Sequence, residues 1–193
     1  MFKKLILQSS LVLTTGLFMG LNQNAQAADN YNIDSSHSTV VFSAKHYGVA
    51  NYYGLFNKIE GNVQFDKNPA NIKVNLKIKA DSIFTNHRKR DAHLKGPDFL
   101  NAKQFPWITF KSTNVSKAGN NYNVKGNLTL HGVTKPITLS FKKVGEGKDP
   151  RGNLRAGGEA KFSIKRSDFG MKYGVPNLGD QINLIVSLEG VKK

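Results

Sequence analysis

The sequence predicts an all-β domain of eight antiparallel strands, and three observations support this fold class. Apolar and polar residues alternate with a period of two over several segments, as strands with one buried face require. Groups of Gly, Asn, Asp and Pro separate these segments, as is typical of turns. The segments reach twelve residues, which is long for a small sandwich. A barrel and a sandwich both remain compatible with the pattern, and strand length favours the barrel, whose closure removes sheet edges.

The first three predicted strands precede residue 80. Residues 39–47 are rich in β-branched and aromatic side chains. In residues 54–65, every second residue from Leu55 to Phe65 lies on one face, and Ile59 is among them. In residues 72–79, Ile, Val and Leu alternate with Lys and Asn. We expect each of these segments to be one continuous strand with an apolar side and a polar side.

Residues 85–103 lack this alternation. They predict one or two short helices between strands 3 and 4, divided at Gly96-Pro97 because proline disrupts a helix interior. Five further strands follow this segment. They are predicted at residues 107–113, 121–130, 137–142, 153–164 and 182–189.

The first residues have the features of a secretory signal peptide. Lys3 and Lys4 precede a mostly apolar run, and Ala25-Gln-Ala27 fits a cleavage site. We therefore expect a cleaved signal at residues 1–27, a single domain at residues 28–193 and a periplasmic location. The alternative is a retained membrane anchor, which the shortness of the apolar run disfavours.

Composition narrows the classes of partner. The chain has no cysteine, which excludes disulfides and thiolate-bound zinc. Its net charge is +15, and loss of Lys3 and Lys4 with the signal leaves +13. Such a surface suits transient contact with an anionic membrane, although solubility alone explains it equally well. Export argues against nucleic acid as a partner.

Five short motifs occur in one characteristic order along the chain. They are Tyr31-x-Ile-Asp-x-x-His-Ser38, Thr85-Asn-His-Arg-Lys-Arg-Asp-Ala-His-Leu-Lys95, Phe105-Pro-x-Ile-Thr-Phe-Lys-Ser112, Leu128-Thr-Leu-His-Gly-Val-Thr-Lys-Pro-Ile137 and Arg166-Ser-Asp-Phe-Gly170. Together they resemble the YceI-like family of periplasmic, lipocalin-like polyisoprenoid-binding proteins over residues 31–191. The resemblance implies an eight-stranded antiparallel lipocalin-like barrel that binds an isoprenoid or other long-chain lipid, without a cofactor. The ligands of the family are varied and include polyprenyl pyrophosphates, quinone-like isoprenoids and fatty amides.

The inward faces of the predicted strands form an apolar wall that could hold a lipid tail. Ala156, Gly158 and Ala160 share one such face and leave space where larger side chains would fill it. In the alternative reading these small residues oppose bulky ones and the barrel is filled. The predicted lining comprises Phe42, Leu55, Ile59, Val74, Leu76, Ile78, Phe110, Leu128, Leu130, Leu139, Phe141, Phe162, Leu184 and Val186.

Three polar residues are candidates for contact with the ligand head group: Arg90, His93 and Arg166. Arg166 suits phosphate oxygens because of its forked donors, but it could instead pair with Asp168 and fix a turn, which is the favoured reading. Asp91 could orient His93 as a base or metal ligand. A structural role for this group is favoured, because no nucleophile–base motif and no metal-ligand spacing accompanies it.

Three functions remain after this reading. The favoured one is a periplasmic carrier for a long-chain amphiphile, without catalytic or metal-binding residues. The alternative is an envelope stress or structural protein with a filled barrel and a basic surface that binds anionic envelope components. An enzyme using Arg90, Asp91 and His93 is the least favoured.

Overall fold

The computed structural model describes residues 28–193. The predicted signal peptide and its cleavage site before Ala28 therefore lie outside the described residues. No helix within residues 28–193 has the length and apolar character needed to cross a membrane. The elements are β1 (Asp29–Ile33), β2 (Thr39–His46), β3 (Ala50–Phe56), β4 (Ile59–Phe65), β5 (Lys73–Lys79), β6 (Ile83–Phe84), α1 (Arg88–Lys95), β7 (Trp107–Ala118), β8 (Asn121–Leu130), β9 (Val133–Lys148), β10 (Leu154–Lys165) and β11 (Leu178–Lys192), with short 3-10 helices at Pro69–Asn71, Ala80–Ser82 and Arg166–Phe169.

The sheet closes on itself as an antiparallel barrel. The hydrogen-bonded order is β1-β4-β5-β7-β8-β9-β10-β11, and β11 pairs back to β1. The long strand β11 makes this closure, because its last residues pair with β1 while its first part pairs with β2. The predicted eight-stranded antiparallel barrel is confirmed.

Three of the eight strands are interrupted, which the alternation did not indicate. β1 and β2 form one broken strand along β11, β3 and β4 form a second, and β5 and β6 form a third. The pieces β2, β3 and β6 continue the sheet beyond β11, away from the β1–β4 pairing. These three pieces therefore form part of the barrel wall at one end, and β1, β4 and β5 form the corresponding part at the other end.

The break between β3 and β4 corrects one predicted lining residue. Before the break Phe56 is buried, and after it Ile59 is buried, so the inward face changes from even-numbered to odd-numbered residues. Leu55 precedes the break and therefore lies on the outer face, level with Val41 and Phe84. The prediction that residues 54–65 share one uninterrupted face is wrong because two unpaired residues shift the phase.

The irregular segment contains one α-helix. The imidazole Nδ1 of His87 accepts a hydrogen bond from the Arg90 backbone N–H at 3.1 Å and begins α1. The helix ends at Gly96, immediately before Pro97. Residues 97–105 continue as turns, and Phe99 and Leu100 are buried against one end of the barrel. Of the one or two predicted helices, one forms.

Gly158 does not provide open space. A Cβ atom built on Gly158 would overlap the ring of Phe141, and one built on Gly126 would overlap the ring of Phe110. These glycines admit aromatic rings from the neighbouring strand, which is the arrangement of the filled-barrel reading at these two levels. The two rings therefore take the space beside these glycines, and any cavity at these levels is bounded by the rings.

Candidate functional site

Two apolar cavities occupy the barrel interior, one toward each end. The cavity nearer α1, called here the helix-end cavity, has a volume of about 140 Å³. The second, called the turn-end cavity, has a volume of about 160 Å³ and lies toward the β7–β8 and β9–β10 turns. The helix-end cavity is closed off by side chains from the irregular segments as well as the strands, including Leu94, Phe99, Leu100 and Met171.

The two cavities meet at mid-barrel, where four residues line both of them. Ile78 and Leu128 come from β5 and β8, whereas Phe162 and Val186 come from β10 and β11. Around the closed sheet β5 lies four strands from β10, and β8 lies three strands from β11, so these side chains face each other across the interior. We call this ring the waist. It separates the two cavities, which together make up the apolar lumen of the barrel.

Twelve of the fourteen predicted lining residues lie on a cavity wall. Leu55 does not, for the reason given above, and Ile59 faces inward but is fully enclosed by the core. The role of the other residues in binding remains a prediction. Phe42, Leu130 and Leu184 line the helix-end cavity; Val74, Leu76, Phe110, Leu139 and Phe141 line the turn-end cavity; and the four waist residues line both.

Several lining residues were missed by sequence reasoning. Phe99, Leu100 and Met171 belong to segments without alternation, so no periodic pattern marked them as inward. Tyr31 lines the turn-end cavity from the middle of the short strand β1, and Tyr122 lines it from the second position of β8. The position of Tyr31 as an aromatic residue at the start of a motif could have marked it as a lining residue. Nothing in the local sequence distinguished Met171 in this way.

Arg166 lies on the wall of the helix-end cavity with only 4% of its surface exposed. Its guanidinium donates to four backbone carbonyls of the loop that follows. Within residues 28–193, no carboxylate oxygen approaches it within the 4.0 Å of an ion pair. The acceptors are the carbonyl oxygens of Met171 (2.8 Å), Tyr173 (2.8 Å), Leu178 (2.7 Å) and Gly179 (3.0 Å).

This bonding pattern decides how Arg166 organises the chain. Arg166 fixes the chain that follows β10, and this agrees with the predicted structural role in a turn. It does so through backbone carbonyls and not by pairing with Asp168, which is exposed. Burial lowers the pKa of Arg166, while the negative charge of Asp180 acts in the opposite direction. An arginine remains protonated under such conditions, so a positive charge without a directly bonded carboxylate borders an apolar cavity.

Tyr52 adds a second polar group to the wall of the helix-end cavity. Burial raises its pKa, and the nearby positive charges of Arg166 and Arg90 oppose that rise. The phenol is therefore neutral at ordinary pH and can donate a hydrogen bond. The guanidinium of Arg90 lies over the Tyr52 ring, 5.4 Å from its centroid.

The other two head-group candidates, Arg90 and His93, line neither the helix-end cavity nor the turn-end cavity. Arg90 donates to the Thr85 Oγ1 and carbonyl oxygen, and Asp91 accepts from the Thr85 N–H and hydroxyl, so both residues hold Thr85. His93 is exposed and bonds to Asp98 at 2.8 Å. Asp91 therefore does not orient His93, and the group considered for catalysis is not assembled as a unit.

A network of charged residues fastens the opposite part of the barrel. Arg155 on β10 bonds to Asp34, Asp149 and Glu189, at 2.7, 2.9 and 2.6 Å. Hydrogen bonds from Ser36, Arg155 and His37, in that order, lower the pKa of Asp34. Hydrogen bonds from Asn153 and Arg155 lower the pKa of Asp149 to about 2.

Three side chains of this network also have the spacing of metal ligands. Asp34, His37 and Glu189 place one ligand atom each within 4.8 Å of the others. Arg155 already bonds to both carboxylates and brings a positive charge against them. The arrangement therefore fits an ion-pair network that joins the β1–β2 junction to β10 and β11, and it does not fit a cation site.

Comparison with known proteins agrees with the barrel. The YceI-like domain matches residues 31–190. A UPF0312 protein of Yersinia pestis (strain Pestoides F) is 46% identical over 191 residues, covering 97% of this chain and 99% of the relative. A UPF0312 protein of Yersinia enterocolitica is 45% identical over 195 residues, covering 100% of this chain and 99% of the relative.

Solved structures share the architecture. The Campylobacter jejuni YCEI protein is 33% identical with a TM-score of 0.69, covering 77% of this chain and 90% of that chain. Burkholderia cenocepacia BcnA is 25% identical with a TM-score of 0.74, covering 81% and 98%. A polyisoprenoid binding domain from Saccharophagus degradans, at 14% identity and a TM-score of 0.64, covers 84% and 98% and shares the fold. The extent of the domain match and the identity to the Yersinia relatives show that this chain belongs to the YceI-like family.

Proposed function

We propose that the protein binds a long-chain amphiphilic lipid inside the barrel and carries it in the periplasm. The observation that carries the proposal is the apolar lumen: two cavities that share the four waist residues, with a buried guanidinium on the wall of one of them. A polyisoprenoid, a quinone-like isoprenoid and a fatty-acid derivative all have the required shape, with a long apolar tail and one polar end.

The tail provides most of the expected affinity. Each buried methylene contributes about 0.8 kcal/mol, so a chain of ten or more carbons needs few polar contacts. The solved domain from Saccharophagus degradans is described as polyisoprenoid binding, which agrees with this ligand class. That domain is only 14% identical to this chain, so the proposed ligand class depends on the residues that line this chain's own lumen.

The polar end is placed at Arg166 and Tyr52. Arg166 supplies charge, Tyr52 supplies a hydroxyl, and both line the helix-end cavity. Four of the five Arg166 N–H groups donate to backbone carbonyls, which leaves one N–H and the positive charge for a ligand. A phosphate or carboxylate is attracted by that charge, and a phosphate, a carboxylate or a quinone carbonyl can accept a hydrogen bond from the Tyr52 hydroxyl. Arg90 contributes indirectly, by holding the Tyr52 ring in place.

The alternative is a structural or stress protein whose basic surface binds anionic envelope components. The net charge of +13 for residues 28–193 favours that function, whereas the two cavities favour lipid binding. Binding is favoured over catalysis because Asp91 contacts Thr85 and His93 contacts Asp98.

Native mass spectrometry of the exported protein, followed by organic extraction, tests the proposal. We expect a co-purified lipid in the barrel, and N-terminal sequencing should begin at or near Ala28. A chain-length series titrated at two ionic strengths then identifies the binding site. Removal of four methylenes should weaken binding by about 3 kcal/mol, and salt should matter less. Affinity that ignores chain length but collapses with salt would place the ligand on the basic surface instead.

A further inference from the structure

Exposed apolar side chains are concentrated at the helix end of the barrel. Two loops carry four of them: Tyr47 and Val49 at the β2–β3 turn, and Tyr173 and Val175 before β11. Val49 is the most exposed, at 87%. We call these four residues the rim. Protruding valine and tyrosine side chains are costly to leave in water together unless a partner covers them.

The rim is one surface and not two separate loops. The Tyr47 backbone N–H donates to the Asn177 carbonyl oxygen at 2.7 Å, and His46 pairs with Leu178 where β2 meets β11. Tyr173 packs edge-on against His93 of α1, with ring centroids 5.3 Å apart. The β2–β3 turn, the loop before β11 and α1 therefore face the same side of the molecule.

The chain around the rim is basic. Residues 35–59 and residues 169–179, which contain both loops, include no acidic residue. Lys45 and Lys172 are exposed beside the loops, and Arg88 and Lys89 are exposed on α1. The second stretch is flanked by Asp168, which is exposed, and by Asp180, which is bonded to Ser167. Asp98, beside the Phe99 ring that contacts Tyr173, is bonded to His93.

The rim also borders the helix-end cavity. Tyr52 follows the β2–β3 turn, Met171 and Leu178 flank the second loop, and all three line that cavity. Arg166 ties the second loop to the cavity wall through the Tyr173 and Leu178 carbonyls. A lipid that leaves a bilayer beneath the rim would therefore reach the apolar lumen by a short path.

We propose that the rim docks on the surface of an anionic lipid bilayer, so that the helix-end cavity faces the membrane during lipid exchange. Tyrosine is favoured at the membrane interface, where its ring is buried and its hydroxyl stays hydrated. The valines insert, and Lys45, Lys172, Arg88 and Lys89 contact anionic head groups. Charge argues against a second copy of this chain as the occupant, because two rims of the same sign repel each other.

Vesicle flotation tests the docking surface. The probes are phosphatidylethanolamine vesicles with and without phosphatidylglycerol, and the protein is residues 28–193. Val49→Asp and Lys172→Glu alter the rim at exposed positions, whereas Tyr47→Asn removes a ring and keeps a residue that tolerates the positive φ of 50° at that position. Val144→Asp and Lys148→Glu are matched controls on the β9–β10 hairpin, where Val144 is 74% exposed.

We expect binding to anionic vesicles that decreases with added salt, and weak binding to vesicles of phosphatidylethanolamine alone. Lys172→Glu should weaken binding about 25-fold, since each basic charge near such a surface contributes about fivefold. Val49→Asp should weaken it at least about tenfold, because it replaces an inserted apolar group with a charge that the surface repels. Both control variants should change it less than about threefold, a range within ordinary surface effects.

Three outcomes would overturn the docking surface: equal loss in rim and control variants, no vesicle binding by the wild-type domain, or concentration-dependent dimers that disappear with Val49→Asp. Lipid exchange through the helix-end cavity rests on the proposed lipid-binding function, whereas docking of the rim on a membrane does not depend on it. Equilibrium binding of a soluble fluorescent fatty acid separates the two. The rim variants should bind it normally, and a wild-type protein that docks on vesicles but binds no fatty acid or prenol would contradict the lipid-carrier function alone.

Discussion

The two ends of the barrel each contain an arginine with several hydrogen bonds, buried at Arg166 and half-buried at Arg155, but the two arginines have opposite surroundings. Arg155 bonds to three carboxylates, so its charge is more than neutralised by its own neighbours. Arg166 bonds to four carbonyls, whose dipoles satisfy its donors without cancelling its charge. One arginine closes the fold, and the other fixes a loop while leaving a positive potential at the lumen wall.

The walls of the two cavities differ in the same sense. The turn-end cavity is bounded mainly by strand residues, with the Lys143–Glu146 pair at its margin. The helix-end cavity is bounded by strands and by the irregular segments around Leu94, Phe99 and Met171. Regular strands make a stable apolar compartment, whereas the irregular segments close the helix-end cavity and hold Arg166 at its wall, which is the usual division between scaffold and function.

Leu76→Asp should have the largest effect, and it tests whether the turn-end cavity is apolar throughout. Leu76 is buried in the middle of β5, and an unpaired buried carboxylate costs several kcal/mol. We expect a loss of cooperative thermal unfolding and of lipid binding. Lys77→Asp, which faces water on the same strand, should fold normally. Similar thermal midpoints for wild type and both variants would show that the orientation of β5 is wrong.

Arg166→Met tests the contrast between the two arginines directly. It leaves four carbonyls without their donor, so we expect destabilisation of about 3 kcal/mol or more, measured by urea unfolding. Among folded molecules, the preference for a prenyl phosphate over the prenol of equal length should fall. Arg155→Met also removes hydrogen bonds and destabilises the fold, but it should leave that preference unchanged. A phosphate preference that depends on Arg155 would reverse the assignment.

Phe162 tests whether the waist separates the compartments. Phe162→Leu widens the ring and should cost about 1–2 kcal/mol of stability while improving the binding of long chains relative to short ones. Phe162→Trp narrows it and should weaken long chains only. The measurement is the slope of binding free energy against chain length for the three proteins. Identical slopes would mean that ligands occupy a single cavity.

The smallest expected effect is on the free energy of unfolding at acid pH, and this effect tests the Arg155 network. The pKa values of Asp34 and Asp149 are lower in the folded state than the ordinary 3.8, and that of Asp149 is about 2. Their stabilisation is therefore complete above about pH 4 and is lost as the pH falls toward 2. We expect Arg155→Gln to flatten this part of the stability profile. An unchanged profile would show that other carboxylates cause the acid sensitivity.

The sequence by itself determined the all-β class and, through strand length, favoured a barrel over a sandwich, because alternation, turn residues and segment length are local properties of the chain. It also placed most of the apolar lining, since a residue near the middle of a regular strand keeps its face. Leu76 and Leu128 were found in this way. The family followed from the order of five motifs, which matches the extent of the YceI-like domain.

The tertiary structure decided what depends on contacts between distant residues. Leu55 turned outward because two unpaired residues after Phe56 shift the strand phase. Arg166 acquired four carbonyl partners only because the loop before β11 folds back over β10. The Phe141 ring fills the space beside Gly158. The open space lies in the two cavities on either side of the waist. Strand phase, hydrogen-bond partners and cavity position are all set by closure of the barrel, which joins residues far apart in the chain.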